Sequence, residues 1–156
     1  MNVERVMKRD VKACKTSDNL NRAAQLMWEN ACGCIPVTDQ GNKIVGMLTD
    51  RDICMAAYTQ GRTLDSIAAE TSMAQKVVTC RIDDDVTTAI RLMRETGVRR
   101  LPVVDERGSL RGIVSLDDLA GEALRNLRGA TNQELANELG DAFLAIAARR
   151  VRRAHG

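Results

Sequence analysis

Hydrophobic positions along the chain follow two spacings, and the same order of spacings occurs twice. Apolar residues three or four positions apart mark the buried face of a helix, whereas short apolar runs mark buried strands. Residues 20–27 and 86–93 have the helical spacing, and 35–38 and 101–104 are short apolar runs. Each second segment follows the first by 66 residues. The pattern predicts strand, helix, strand, strand, helix, written βαββα, twice over.

The helical spacing also predicts which residues face the core. In the first repeat these are Leu20, Ala23, Ala24 and Met27, and in the second they are Val86, Ala89, Ile90 and Met93. A further stripe near the end of the chain consists of Leu135, Leu139, Phe143 and Ile146. Pro36 favours an edge strand or a strand start, because proline has no N–H to donate to a sheet.

The two repeats align in sequence as well as in pattern. Residues 7–53 match 73–119 without a gap, and each copy ends in a glycine, an apolar run, a hydroxyl residue and an aspartate three positions after that hydroxyl. The endings read Gly46-Met47-Leu48-Thr49-Asp50-Arg51-Asp52-Ile53 and Gly112-Ile113-Val114-Ser115-Leu116-Asp117-Asp118-Leu119. Such an internal repeat decides the fold class.

We therefore predict an α/β fold of two pseudo-symmetric βαββα repeats and a C-terminal helix. A βαββα unit leaves one sheet face uncovered, so we expect the two copies to pack sheet to sheet. The boundaries are 1–66 for the first repeat with its linker, 67–128 for the second repeat, and 129–156 for a helical extension.

Composition excludes several classes of function. With 44% hydrophobic and 28% charged residues in 156, the chain is typical of one globular domain. A net charge of +2 and an aromatic content of 2% give little for nucleic acid to bind, so we expect no such partner. No signal peptide or membrane-length apolar run is present in the sequence, so we expect a cytoplasmic protein with no membrane partner.

The cysteines and the single histidine argue against a metal site and against catalysis. Five cysteines without a secretory signal are expected to be reduced thiols. Cys32 and Cys34 lack a second pair at zinc spacing, and His155 lies in the tail. Cys14 and Cys80, at equivalent strand positions, are expected to be small buried hydrophobes. With no base beside a nucleophile and no phosphate-binding loop, we expect no metal and no enzyme activity.

On these residues the chain resembles a tandem cystathionine-β-synthase (CBS) domain pair, or Bateman module. The resemblance rests on Met7 and Met73, the Pro-Val-x-Asp turns and the two Gly-to-Asp endings, and covers about 1–127. The first ending and Val98-Arg99-Arg100-Leu101-Pro102-Val103 are similar to stand-alone pairs of the hypoxic-response-protein type. The resemblance implies a regulatory module that senses an adenosine-containing metabolite. The candidates are AMP, ADP, ATP, NAD and S-adenosylmethionine.

The repeated motif brings two kinds of polar group to one helix start. A hydroxyl and free backbone amides can meet a phosphate, and a carboxylate can accept two hydrogen bonds from ribose hydroxyls. The resemblance implies that Thr49 and Asp52 belong to one cleft and Ser115 and Asp118 to the other. The alternative is that both aspartates only stabilise the helix N-termini.

Basic residues distinguish the two copies. Arg99 and Arg100 precede the second apolar run, where Gly33 and Cys34 stand in the first copy. The resemblance implies that residues at this position face the phosphates, a task that suits arginine. Arg51 could supply part of the missing charge in the first copy. We expect one cleft to bind a phosphorylated adenosine better than the other, with a solvated loop as the alternative role of the arginine pair.

The sequence says less about the binding partners of the protein than about its fold. The resemblance implies a homodimer, an unknown protein target, and no required cofactor besides the nucleotide ligand. Trp28, which stands where the second copy has Arg94, is expected at a subunit interface. The terminal helix could pack on a partner or on its own domain, or its arginines 149, 150, 152 and 153 could touch an anionic surface. A ligand-free dimeric scaffold remains the alternative function.

Overall fold

A computed structural model describes residues 1–125 and 130–154 of the chain. These residues form two compact units. The repeat-1 unit comprises Asp10–Val77 with Glu106–Leu110, and the repeat-2 unit comprises Met1–Arg9, Val78–Asp105 and the described residues from Arg111 onward. Residues 1–9 precede the first repeat in sequence but pack with the second. The boundary expected at residue 128 lies outside the described residues.

The repeat-1 unit has the predicted order of elements. Its strands and helices are β1 (Cys14–Lys15), α1 (Leu20–Glu29), β2 (Cys34–Thr38), β3 (Ile44–Thr49), α2 (Asp50–Gln60) and α3 (Ala69–Ser72), with a 3-10 turn at Leu64–Ser66. The sheet order is β1-β2-β3, in which β1 runs parallel and β3 antiparallel to β2.

The repeat-2 unit repeats this architecture and adds a long helix. Its elements are a 3-10 turn at Val3–Arg5, β4 (Cys80–Arg81), α4 (Val86–Thr96), β5 (Arg100–Val104), β6 (Leu110–Ser115), α5 (Leu116–Arg125) and α6 (Ala130–Ala154). The sheet order is β4-β5-β6, and Cys80 pairs with Val103 as Cys14 pairs with Val37. The α/β fold of two βαββα repeats and a terminal helix is thereby confirmed.

The cores are built from the predicted stripes with small changes. All four predicted residues of α4 are buried. In α1, Leu20, Ala23 and Met27 are buried as predicted. Ala24 is only partly buried, and Leu26, which was not predicted, is buried. Helix α6 packs on α4 and α5 and buries Leu135, Leu139, Ala142 and Ile146. Phe143 lies partly buried at the side of that stripe. The terminal helix therefore covers its own unit.

Pro36 lies in a central strand, so the prediction of an edge strand or a strand start is wrong for β2 as a whole. The strand β1 is only two residues long and pairs with Val37 and Thr38. At Pro36, therefore, β2 has a neighbour only on the β3 side, where Met47 is its partner. The proline occupies a local edge, which is where a missing N–H costs least.

In each unit a glycine in the last strand leaves room for a segment from elsewhere in the chain. A Cβ atom at Gly46 would lie 2.2 Å from Met73 Sδ, and one at Gly112 would lie 2.9 Å from Met7 Sδ and 2.7 Å from the carbonyl oxygen of Lys8. Real Cβ atoms do not approach other atoms so closely. At Gly112 the contact with the Lys8 backbone requires glycine, whereas at Gly46 the Met73 side chain would have to move to admit a Cβ atom.

Substituting Gly112→Ala is expected to destabilise the protein by about 1–3 kcal/mol, the usual cost of overpacking. The new methyl group would meet the backbone of Lys8, which cannot rotate away as a side chain can. The measurement is the urea unfolding midpoint, with Gly41→Ala as the control, since a Cβ at Gly41 meets only Asp39 Oδ1 at 3.4 Å. Equal midpoints for the two variants would contradict this packing.

Candidate functional site

The first candidate site lies where β3 meets α2. Thr49 is the N-cap of α2, and its side-chain oxygen accepts a hydrogen bond from the backbone N–H of Asp52 at 3.1 Å. The carboxylate of Asp52 accepts in return from the backbone N–H of Thr49 at 2.8 Å and from its hydroxyl at 2.7 Å, both through Oδ2. This reciprocal capping box holds the hydroxyl and the carboxylate together.

The second candidate site repeats this geometry where β6 meets α5. The backbone N–H of Asp118 donates to Ser115 Oγ at 3.1 Å, and the backbone N–H of Ser115 donates to Asp118 Oδ2 at 3.0 Å. The Ser115 hydroxyl also donates to that oxygen. Both motif pairs named from the sequence are thus in contact, and in both pairs one carboxylate oxygen serves the helix cap.

The other oxygen of each carboxylate distinguishes the two sites. Lys8 Nζ lies 3.2 Å from Asp118 Oδ1. Among the described residues, Asp52 Oδ1 has no such partner. The sequence reasoning missed Lys8, although aligning the repeats sets it opposite Ala74. Its position at Asp118 depends on residues 1–9 packing with the second repeat, which the alignment does not reveal.

The loop before the middle strand meets each helix start through the backbone. The N–H of Asp50 donates to the carbonyl of Gly33 at 3.0 Å, and the N–H of Leu116 donates to the carbonyl of Arg99 at 3.0 Å. The Arg99 guanidinium lies 5.9 Å from the ring centroid of Phe143 on α6, a cation–π contact. Arg100 opens β5 with an exposed side chain, and Arg51 is exposed in the first turn of α2.

Two cysteines are buried in the sheets, as expected of structural thiols. Burial is the main cause that raises the pKa of both Cys14 and Cys80 to about 12, so both stay protonated at neutral pH. Within the described ranges, no three His, Cys, Asp or Glu side chains gather in a way that could hold a metal ion.

An open apolar groove of about 570 Å³ lies between α1 and α2 in the repeat-1 unit. Its lining includes Met27, Trp28 and Ile53, and Trp28 is 88% exposed. In the repeat-2 unit the corresponding helices α4 and α5 are covered by α6. The two repeats therefore differ in whether this helical face has a cover within the chain. Of the helices that the structure describes, none has the length and apolar character needed to cross a membrane.

Comparison with known proteins identifies the repeats. A family model for the CBS domain matches residues 3–58 and 67–125. The CBS domain-containing protein YhcV of Bacillus subtilis is 36% identical over 124 residues, which are 80% of this chain and 86% of YhcV. The uncharacterized protein MK0525 of Methanopyrus kandleri is 33% identical over 119 residues, which cover 76% of this chain but only 61% of that protein.

Solved structures agree with the fold. The crystal structure of Hypoxic Response Protein I, which holds two coordinated zinc ions, is 28% identical with a TM-score of 0.71 and covers 78% of this chain and 98% of that one. The crystal structure of CBSX2 in complex with AMP is also 28% identical with a TM-score of 0.71, covering 81% of this chain and 98% of that one.

Proposed function

The chain belongs to the CBS domain family, and from that we propose that it is a regulatory module that binds an adenosine-containing metabolite. The observation that carries the proposal is the pair of strand-to-helix turns, in each of which a capping box holds together a hydroxyl and an aspartate that commits only one oxygen to the cap. The binding of AMP by CBSX2, a protein of the same fold, supports this ligand class.

In both sites, equivalent groups of the protein would bind the same parts of the ligand. The hydroxyl of Thr49 or Ser115 would turn from the aspartate to donate to a phosphate, which the positive end of the helix dipole also attracts. The Oδ1 atom of Asp52 or Asp118 would accept from the ribose hydroxyls. A hydroxyl and a carboxylate at one helix start would then bind the phosphate and the ribose of the nucleotide.

Three arginines would add positive charge around these turns. Arg99 and Arg100 would serve the second-repeat site, and the bond of the Arg99 carbonyl to the first amide of α5 supports this. Arg99 would leave its contact with Phe143 to reach a phosphate, which would couple ligand binding to α6. Arg51 would serve the first-repeat site. With two arginines against one, the second-repeat site is the better candidate for a phosphorylated ligand.

Regulation would follow from a difference in ligand affinity between two conformations of the module. A ligand that binds one conformation better shifts the population toward it, and a protein partner would respond to that shift. The proposal assigns the chain no catalytic step. The competing function is a ligand-free scaffold. The capping boxes are compatible with it, because an aspartate that caps a helix stabilises the fold whether or not it binds ribose.

We further propose that the module forms a homodimer through the groove between α1 and α2. Burying an exposed tryptophan in an apolar groove gives a large gain in hydrophobic contact. The second copy would supply the cover that α6 provides for α4 and α5. Trp28 would be the central contact of this interface.

Replacing Asp118 by alanine is expected to weaken nucleotide binding by about tenfold or more, because a ribose hydroxyl loses its charged acceptor. The measurement is isothermal titration of nucleotide-free protein with AMP, ADP, ATP, NAD and S-adenosylmethionine. Asp117→Ala is the matched control, because it removes the same charge from the neighbouring exposed position of α5.

A scaffold would behave differently in this experiment. It would bind none of the five compounds, or it would bind one of them equally well in both aspartate variants. In that case Asp118→Ala would only lower the free energy of unfolding, by roughly 0.5–2 kcal/mol, because it removes one half of the capping box.

Trp28→Arg introduces the residue of the second repeat and is expected to convert the dimer to a monomer at micromolar concentration. A buried tryptophan commonly contributes about 2 kcal/mol or more to an interface, and arginine would leave a charge in an apolar groove. Sedimentation velocity measures the change. Tyr58→Arg is the control, because Tyr58 is exposed on α2 but does not line the groove. An unchanged mass for Trp28→Arg would contradict the interface.

A further inference from the structure

Lys8 brings a positive charge to one of the two candidate sites and not to the other. Its Nζ lies 3.2 Å from Asp118 Oδ1, the oxygen that the cap leaves free. The Lys8 side chain is 69% exposed, whereas the Asp118 side chain is 16% exposed. A solvent-exposed ammonium therefore contacts a largely buried carboxylate, at the position where a ribose would be recognised.

The backbone that carries Lys8 has a counterpart in the other unit. Lys8 and Ile113 exchange two backbone hydrogen bonds, of 2.9 and 3.0 Å, and Ala74 and Met47 exchange two of the same lengths. Both pairs are isolated antiparallel bridges beside the glycine of the last strand. The backbone pairing is the same in the two units, and the side chain that follows the methionine differs. Where the repeat-2 unit has an ammonium, the repeat-1 unit has a methyl group.

Arg9, the cation next to Lys8 in the sequence, is paired with a carboxylate other than that of Asp118. Arg9 donates to the carboxylate of Glu4 at 2.9 Å, on the 3-10 turn. The Ser115 hydroxyl and the Lys8 ammonium contact the two oxygens of the same Asp118 carboxylate. A phosphate that accepts a hydrogen bond from the Ser115 hydroxyl would thus lie close to the exposed Lys8 ammonium.

We propose that Lys8 makes the second-repeat site select phosphorylated adenosines against neutral ones. This rests on the function proposed above. A neutral adenosine has to displace the ammonium from Asp118 and carries no anionic group with which the ammonium could pair. A ligand with a phosphate gives the displaced ammonium a new anionic partner. Because the Lys8 side chain is 69% exposed, solvent weakens the ion pair and favours release of the ammonium, and the gain from the phosphate decides the preference.

The experiment compares AMP with adenosine in isothermal titrations at low salt. Asp52→Ala in the whole chain removes the first-repeat carboxylate, so that the second-repeat site is measured alone. In this background Lys8→Ala introduces the residue of the other repeat. We expect adenosine to bind up to about fivefold more tightly, since its competitor is gone. AMP is expected to bind about tenfold more weakly, since a charged hydrogen bond is lost.

The reciprocal substitution tests the same idea in the other unit. Ala74→Lys in an Asp118→Ala background is expected to raise the preference of the first-repeat site for AMP over adenosine. Lys8→Arg keeps the charge and is expected to keep the wild-type preference. Lys12→Ala is the matched control, because Lys12 is an exposed lysine paired with Asp10 at 2.7 Å. It is expected to leave the ratio of the two affinities unchanged.

The outcomes separate this inference from the function on which it rests. If AMP binds but Lys8→Ala leaves the ratio of the two affinities unchanged, or strengthens both ligands equally, the role of Lys8 is wrong and nucleotide binding stands. If neither AMP nor adenosine binds the wild-type protein or any variant, the proposed function fails and the role of Lys8 fails with it. Urea midpoints equal to that of the Asp52→Ala parent ensure that the changes are not losses of folding.

Discussion

The close contact between a glycine and a methionine-bearing segment determines what each candidate site contains. Gly112 lacks a side chain, and the segment with Met7 crosses β6 at that point; Gly46 and Met73 repeat the arrangement on β3. In each unit the segment forms two backbone bonds to the strand, and at Gly112 a side chain would collide with the backbone of that segment. The residue after the methionine makes those bonds, with the strand residue next to the glycine. In one unit that residue is Lys8, and in the other it is Ala74.

The capping box joins stability and recognition in a single carboxylate. Oδ2 of Asp52 or Asp118 holds the preceding hydroxyl residue, which fixes the helix start and leaves Oδ1 outside the cap. A ligand that uses Oδ1 therefore meets an acceptor that is already oriented, so little conformational entropy is lost on binding. The same geometry explains why the motif alone does not separate a sensor from a scaffold, since the helix gains from the cap in either case.

Most of the fold follows from local pattern, and most of the site does not. The α4 stripe from Val86 to Met93 is buried as predicted, because helical spacing alone decides which residues share a face. The motif pairs meet because their members are three residues apart. Lys8 reaches Asp118 across more than a hundred residues, and Arg99 lies against Phe143 of a helix outside the repeat. Neither contact follows from spacing within one repeat, since both depend on packing between distant segments.

The central claim is that the two strand-to-helix turns bind an adenosine nucleotide, and mapping AMP onto the protein by amide NMR tests it most directly. The account predicts saturable shifts at the backbone amides of Ser115 and Asp118, and at those of Thr49 and Asp52 at higher AMP concentration. Shifts confined to the groove between α1 and α2 or to α6, or no shifts up to millimolar AMP, would contradict it.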